Sequence, residues 1–182
     1  MIIDVNSLIM GVISGIVSSI IIYLLVFQVK PRIKIGDKIA REIDDKNNTI
    51  YRFKIVNKTK FAIFNLNYTL HYCYKQSDGI INFKIIDPSK RSLFYIPPYK
   101  RNDNDDKHAV RISYSIDEKE YPLDDNAYLC FAIIATHELS NTSTYTEVNF
   151  YKKDIVDGVF ETGNSVKVLS TNNKRKIVSN IK

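Results

Sequence analysis

An uncharged, apolar stretch near the N-terminus constrains this 182-residue chain more than any other feature. Residues 8–29 read LIMGVISGIVSSIIIYLLVFQV and contain no Asp, Glu, Lys or Arg. As an α-helix, this stretch would be about 33 Å long, close to the ~30 Å hydrocarbon core of a bilayer. A cleaved signal peptide would need a basic start and a shorter apolar core, whereas residues 1–7 contain Asp4 and no basic residue. The sequence therefore predicts a transmembrane helix over residues 8–30 after a short external tail, residues 1–7.

The charges that flank this helix predict its orientation. Asp4 is the charged side chain before the helix. The basic residues that follow it closely are Lys30, Arg32, Lys34, Lys38 and Arg41. Lys and Arg accumulate on the cytoplasmic side of membrane-spanning helices. We therefore expect a single-pass protein of the inner (cell) membrane, with its N-terminus outside and its C-terminal domain in the cytoplasm.

The same helix carries small residues at a regular spacing. Ser7, Gly11, Gly15 and Ser19 are four residues apart and therefore line one helix face. In lipid, small residues at this spacing let two helix backbones approach closely. The pattern predicts a homo-oligomer formed through the transmembrane helix, in addition to contact with the lipid bilayer.

Residues 31–170 show the two-residue periodicity of β-strands. Tyr51, Phe53 and Ile55 alternate with Arg52 and Lys54, while residues 127–135 are apolar on both faces and fit a central strand. We therefore predict a mainly β domain, an antiparallel β-sandwich of about eight strands that is immunoglobulin-like or C2-like, followed by a flexible basic tail at residues 171–182. The residues expected in its core are Tyr51, Phe53, Ile55, Leu129, Phe131 and Ile133.

Three local expectations follow from this patterning. Residues 32–40 are expected to form one strand, and the stretch that contains Gly158 and Gly163 is expected to be a polar linker. Residues 62–74 are expected to form one long strand. The side chains expected on one face of that long strand are Phe64, Leu66, Tyr68, Leu70, Tyr72 and Tyr74.

The chain contains no recognisable catalytic or metal-binding motif. His71, His108 and His137 are too far apart in sequence to form a metal-ligand pair. The acidic stretch at residues 103–106 lacks the Gly and Glu positions that an EF-hand loop requires. Cys73 and Cys130 fall within strand patterns, where a buried and inert thiol is the usual outcome. We therefore expect no metal site, no cofactor and no enzymatic activity.

Cations and aromatic rings cluster in sequence around one short predicted strand. The formal net charge of the chain is +6, which favours anionic partners. The candidate ligand-binding residues are Lys90, Arg91, Tyr95, Tyr99, Lys100 and Arg101. This mixture suits a phosphate-bearing ligand such as a nucleotide, and a protein ligand is the alternative. No RNA-binding or DNA-binding signature is present, so nucleic acid is not an expected partner.

Several segments of the chain resemble a family of small bacterial single-span membrane proteins of unknown function. The resemblance rests on the N-terminal span, on PRIKI at residues 31–35, on YRFKIVNKT at residues 51–59, on CFAIIATHELSNT at residues 130–142 and on DIVDGVFETGNS at residues 154–165. It implies a cytoplasmic β-sandwich behind one membrane span. More loosely, the chain is similar to antiphage membrane effectors that join spanning helices to a nucleotide-sensing β-domain.

Two functions from different classes fit these expectations. In the first, the β-domain is a sensor or effector: a ligand or protein binds it and the transmembrane helices assemble, with antiphage defence as an output that the resemblance implies. In the second, the protein is a passive membrane scaffold that recruits a protein partner.

Overall fold

The helix and the β-rich domain predicted from the sequence are both present. This computed structural model describes residues 5–27, 30–43, 49–87, 92–100 and 107–170. Helix α1 (Val5–Phe27) comes first and begins three residues earlier than predicted. It is long and apolar enough to cross a membrane, and its apolar span is not buried against the rest of the protein. Residues 1–4 and the predicted basic tail, residues 171–182, lie outside the described residues.

Eleven strands follow the helix in the described part of the chain. They are β1 (Ile33–Ile35), β2 (Ile39–Ile43), β3 (Thr49–Asn57), β4 (Ile63–Lys75), β5 (Ile81–Ile86), β6 (Ser92–Ile96), β7 (Ala109–Ser115), β8 (Ala127–His137), β9 (Ser143–Phe150), β10 (Ile155–Phe160) and β11 (Val168–Ser170). A short 3-10 turn, Lys152–Asp154, separates β9 from β10. The prediction of a mainly β chain behind one N-terminal helix is confirmed.

The strands form two sheets. In the first, β3 lies between β7 on one side and β1 and β2 on the other, and β10 and β11 continue the sheet beyond β2. The β2–β10 pair is parallel, whereas the other pairs are antiparallel. In the second sheet, β4 lies between β8 on one side and β5 and β6 on the other, and β9 forms the far edge beyond β8.

The two sheets pack face to face around an aromatic core. The ring of Phe53 on β3 stacks on Phe131 of β8 with centroids 4.7 Å apart, and Phe150 of β9 contacts Phe53 edge-on at 5.5 Å. The predicted core is confirmed, because Tyr51, Phe53, Ile55, Leu129, Phe131 and Ile133 are all buried. The arrangement is therefore a two-sheet sandwich. Its immunoglobulin-like or C2-like subtype stays a prediction.

Two glycines explain where the predicted strand boundaries were wrong. The single strand expected at residues 32–40 is divided into β1 and β2 around Gly36, so that the two parts pair with different halves of β3. The expected linker is instead strand β10, because Gly158 lets β11 approach it: a Cβ at Gly158 would lie 2.0 Å from the Leu169 carbonyl oxygen. Glycine in a strand marks such a close backbone approach.

A β-bulge in β4 corrects the face assigned to Phe64. The register with β8 shifts between Phe64 and Asn67, and Asn65 has a φ of 47°. The extra residue of a bulge reverses the alternation on one side of it. Phe64 therefore pairs with Tyr95 on the outer face of the second sheet, while Leu66 lies in the core.

The first prediction concerns the contact between the two sheets. Replacing Phe131 with Ala in the full chain in detergent should destabilise the domain by about 3–5 kcal/mol, because the side chain is fully buried against Phe53. Ile134→Ala is the matched control, since Ile134 lies on the same strand but is exposed. Denaturant unfolding followed by circular dichroism measures both. Equal destabilisation by the two substitutions would contradict the inward and outward assignment of β8.

Candidate functional site

The outer face of the second sheet carries large apolar side chains in contact with solvent. On the edge strand β5, the exposed fraction of Phe83 is 69%, and on β6 that of Phe94 is 76%. The other exposed members of this surface, the apolar face, are Ile81, Ile85, Tyr95, Ile134 and Tyr145. Contiguous exposed apolar patches on a folded domain mark interaction sites.

Strand alternation places these residues together. Phe83 and Ile85 pair with Cys73 and His71 of β4, whose side chains point away from the core. The Phe83 ring packs edge-on against His71 at 5.7 Å, and the Phe94 ring packs against Phe64 at 5.7 Å. The apolar face therefore extends from the β5–β6 edge of the sheet towards its centre.

The apolar face carries little charge, whereas the outer face of the first sheet is basic. By alternation, the charged residues on the outer face of the described strands of the second sheet are Lys75 and Glu147, and Glu147 accepts a hydrogen bond from the Tyr145 hydroxyl. On the first sheet the outward side chains are basic and paired: Arg52 lies 3.1 Å from Glu42, and Lys54 Nζ donates to the Glu161 carbonyl at 2.6 Å. A nearly neutral apolar face suits a protein partner better than a nucleotide or nucleic acid.

The apolar face ends at a free sheet edge. β5 and β6 pair with β4 on one side, and no strand of the described residues pairs with their other side. The backbone N–H and C=O groups on that side can pair with an added strand. An edge strand with Ile81, Phe83 and Ile85 on one face is therefore a template for β-augmentation.

The two thiols on the same sheet are poor nucleophiles. Cys73 is buried and Cys130 is half-buried, and neither forms a disulfide. Burial raises the pKa of Cys130 to about 11 and also raises the pKa of Cys73. At neutral pH both are therefore protonated thiols, which are the unreactive form. Among the described residues, no group of three or more His, Cys, Asp and Glu side chains is placed to hold a metal ion.

A groove over the first sheet is lined in part by ion-paired side chains. Its volume is about 310 Å³, and Arg41, Ile43, Asp157 and Leu169 help to line it. The Arg41 guanidinium donates to Asp157 at 2.6 Å and to Glu118 at 3.0 Å. Hydrogen bonds to these carboxylates hold the pKa of Arg41 above its usual range. Because both of its anionic partners belong to this chain, Arg41 ties β2 to β10 and is not available to a ligand.

A second candidate surface is the end of the sandwich beside the helix, which we call the helix-proximal end. It comprises residues 30–34 and the loops at residues 58–62 and 138–142. Arg32 fixes the first loop, because its N–H donates to Thr59 Oγ1 at 2.9 Å and its carbonyl accepts the Lys58 N–H at 2.7 Å. The two loops are joined at Ala62, whose N–H donates to Glu138 Oε2 at 3.1 Å.

His137 organises the second of these loops. Its Nδ1 accepts hydrogen bonds from the N–H groups of Leu139 at 3.2 Å and Ser140 at 3.3 Å, and its ring packs against Phe61 at 5.2 Å. An Nδ1 that accepts requires the neutral tautomer with its proton on Nε2. Burial lowers the pKa of His137, and the nearby Glu138 carboxylate opposes that shift.

Three of the six residues predicted to form a phosphate site, Tyr95, Tyr99 and Lys100, lie in the described part of the chain. Tyr95 lies on the apolar face against Phe64, with ring centroids 5.2 Å apart. Tyr99 lies at the helix-proximal end, where its ring packs against His108 at 5.4 Å and Lys58 Nζ lies 4.8 Å from its centroid. Lys100 is exposed next to Tyr99. Lys90, Arg91 and Arg101 lie outside the described residues, so the phosphate site stays a prediction.

The predicted helix-association face is described throughout. A Cβ at Gly11 or Gly15 would meet nothing within 4 Å, and the Ser19 hydroxyl donates to the Gly15 carbonyl at 2.8 Å. Ser7 lies on the same face one turn before Gly11. Helix association itself stays a prediction.

The sequence did not reveal the exposed residues that characterise the apolar face and the helix-proximal end. Phe83 and Ile85 were visible as alternating apolar residues, but alternation does not reveal that β5 lies at an edge with its apolar face uncovered. Phe61 and Leu139 are far apart in sequence and lie in turns, and their connection through His137 depends on tertiary contacts. The available signal was an apolar residue within a polar turn, as in Lys60-Phe61.

Comparison with known proteins identifies no family. No family model matches this chain, and no curated protein matches it.

Among solved structures it is similar to the Northeast Structural Genomics Consortium target SoR45, with 11% identity and a TM-score of 0.34 over 66% of this chain and 81% of that chain. The putative ApaA protein from Bordetella pertussis is 7% identical, with a TM-score of 0.34 over 66% of this chain and 89% of that one. Catalytically inactive OgpA from Akkermansia muciniphila, in complex with an O-glycopeptide, is 12% identical, with a TM-score of 0.28 over 70% of this chain and 30% of that chain. At these TM-scores the likenesses support no conclusion, and the fold rests on the strand pairing itself.

The second prediction is a pH dependence that originates at His137. Because folding lowers the pKa of His137, the unfolded chain binds a proton at higher pH than the folded one. The stabilisation by neutral His137 is therefore complete above the ordinary His pKa of about 6.5 and is lost as pH falls from there towards the lowered value.

The melting temperature of the full chain in detergent should fall less between pH 7.5 and pH 5.5 in His137→Gln than in the wild type. His71→Gln is the control and should keep the wild-type fall; an unchanged profile in His137→Gln would contradict the assignment.

Proposed function

We propose that this protein is a membrane-anchored module that holds a protein partner at the bilayer surface, binding it along the free β5 edge and on the apolar face. The single observation that carries the proposal is the edge strand β5, which presents Ile81, Phe83 and Ile85 to solvent along an edge with which no other strand of the described residues pairs. The partner is a protein segment that adds a strand to β5 and places apolar side chains on the same face. Main-chain hydrogen bonds supply affinity and the apolar side chains supply specificity in this mode of recognition.

A second copy of the chain fits this edge poorly, because both helices must lie in one membrane. β4 begins at Ile63 near the helix-proximal end, and β5 pairs with residues 70–75 of β4. The middle of β5 is therefore about 30 Å from that end, at ~3.4 Å per residue. Antiparallel pairing of two β5 strands about a two-fold axis would place the second attachment point about 60 Å from the first, whereas five residues, 28–32, span at most ~18 Å. This favours a different protein as the partner.

The anchor and its orientation belong to the same proposal. The helix α1 supports membrane anchoring by its length and apolar composition. The basic residues Lys30, Arg32 and Lys34 after the helix support a cytoplasmic β-domain, in an inner (cell) membrane. The cytoplasm would also keep Cys73 and Cys130 reduced, in agreement with their free state.

The third prediction tests the β5 edge with a photo-cross-linking amino acid in cells that make the protein. Placed at Phe83, the probe should yield one discrete cross-linked species that contains a second protein. Placed at Leu169, an exposed position on β11 at the far edge of the first sheet, it should not. Adding Ile85→Lys should remove the Phe83 species, because a charge on this face disfavours an apolar partner. The same species from both positions, or no species from Phe83, would overturn the proposal.

The sensor mechanism is a second candidate, and one observation favours it. The face that carries Gly11 and Gly15 has open space where a second helix could pack. In this version, a protein or nucleotide bound by the β-domain changes the association of the transmembrane helices in a homo-oligomer. Self-association that depends on these two glycines would favour it over the scaffold. An antiphage output rests on the sequence resemblance alone.

The fourth prediction separates assembly from passive anchoring. Gly11→Leu combined with Gly15→Leu keeps the helix apolar and of equal length, but the larger side chains hold two helices apart. In a membrane association assay based on energy transfer, the double variant should associate less than the wild type. Ile13→Leu with Val17→Leu is the matched control on another face of the helix and should associate normally. If the double glycine variant associates as strongly as the wild type, α1 is a passive anchor.

A further inference from the structure

The helix-proximal end presents three lysines, Lys34, Lys58 and Lys60, that form no ion pair within the described residues. Lys34 and Lys60 are exposed, and Lys58 is half-buried against the Tyr99 ring. Burial lowers the pKa of Lys58, and the nearby Lys34 charge lowers it further. Like charges held together without a carboxylate partner fit an anionic surface.

The carboxylates described on the neighbouring loops are already engaged. Glu138 Oε2 accepts the Ala62 N–H at 3.1 Å, and Glu161 Oε2 accepts the Ser165 hydroxyl at 2.5 Å. Both carboxylates keep their negative charge, but neither forms an ion pair with Lys58 or Lys60 in the described structure. The charge of this loop and of residues 30–34 is positive in the described structure.

Two apolar side chains project from the same end. The exposed fraction is 41% for Phe61 and 57% for Leu139. Both are held by His137, through the Phe61 ring contact at 5.2 Å and the Leu139 N–H bond to Nδ1 at 3.2 Å. An aromatic and an aliphatic side chain beside cations are the combination that enters the headgroup region of an anionic bilayer.

The length of the chain brings this end to the membrane. The helix ends at Phe27 and β1 begins at Ile33, so residues 28–32 separate them. Five residues reach at most ~18 Å. The loop at residues 58–62 is bonded directly to Arg32, the last residue before β1. A membrane-anchored helix therefore keeps Lys58, Lys60 and Phe61 within reach of lipid headgroups.

We infer that the helix-proximal end docks on the anionic leaflet of the membrane, with Lys34, Lys58 and Lys60 over lipid phosphates and Phe61 and Leu139 inserted at the headgroup level. This inference rests on the membrane-anchoring part of the proposed function and is independent of the β5 edge. It makes the bilayer a second binding partner of the β-domain itself and fixes the tilt of the sandwich on the membrane.

The fifth prediction uses tryptophan as a depth probe, because the chain contains no Trp. Phe61→Trp in the full chain is reconstituted in vesicles of phosphatidylcholine with phosphatidylserine and with brominated lipids that quench nearby tryptophan. The fluorescence of the probe at position 61 should be quenched strongly in these vesicles and less in phosphatidylcholine alone or at high salt. Phe83→Trp is the matched control on the distant half of β5 and should be quenched in neither.

Charge substitutions complete the test. Lys34→Gln with Lys60→Gln should reduce the docking equilibrium on the order of 30-fold, since each cation near an anionic leaflet contributes about a factor of five. Flotation with the vesicles measures the anchor separately. A chain that floats while the probe at position 61 is unquenched, or is quenched equally with and without anionic lipid, overturns the docking and leaves the anchor intact. A chain that does not float overturns the anchor and with it this inference.

Discussion

The connection of five residues between the helix and the first strand is the constraint on which the arrangement of this protein depends. Residues 28–32 cannot span more than ~18 Å, so the end of the sandwich that begins with β1 stays near the end of α1. The Arg32 N–H donates to Thr59 and its carbonyl accepts the Lys58 N–H, which extends that constraint to the loop before β4. The long strands β4 and β8 therefore start or end near the helix, and their other ends lie ~40 Å away at ~3.4 Å per residue.

The core explains why the apolar face is not needed for folding. Phe53, Phe131 and Phe150 join the two sheets and are fully buried, so the inner faces already satisfy the requirement for an apolar interior. Phe83 and Ile85 lie on the opposite face of the second sheet and add nothing to that contact. Exposed apolar side chains on an edge strand carry a risk of aggregation, which proteins usually reduce with charges or proline. The partner proposed above would cover them.

The sequence was sufficient for those features that depend on local periodicity. The inward residues Tyr51, Phe53 and Ile55 of β3 were identified, because simple alternation governs a strand with one buried face. Prediction failed where a single residue interrupts the period. Gly36 divides one expected strand, and the bulge at Asn65 turns Phe64 outward. Such interruptions depend on tertiary pairing, which no local pattern contains, and the same limit hid the exposure of Phe83 and the link between Phe61 and Leu139.

Docking of the helix-proximal end on the membrane would place the two proposed surfaces at different heights above it, and this would restrict the partner. The helix-proximal end, with Phe61 and Lys60, would lie at the headgroups, whereas the middle of β5 pairs with β4 near Tyr72, about 30 Å farther along the strands. Docking of Phe61 and Leu139 on lipid would hold the strands in one orientation relative to the bilayer. A partner strand that pairs with β5 must then reach that height. It therefore belongs to a soluble protein, or to a membrane protein whose own domain extends at least ~30 Å from the bilayer.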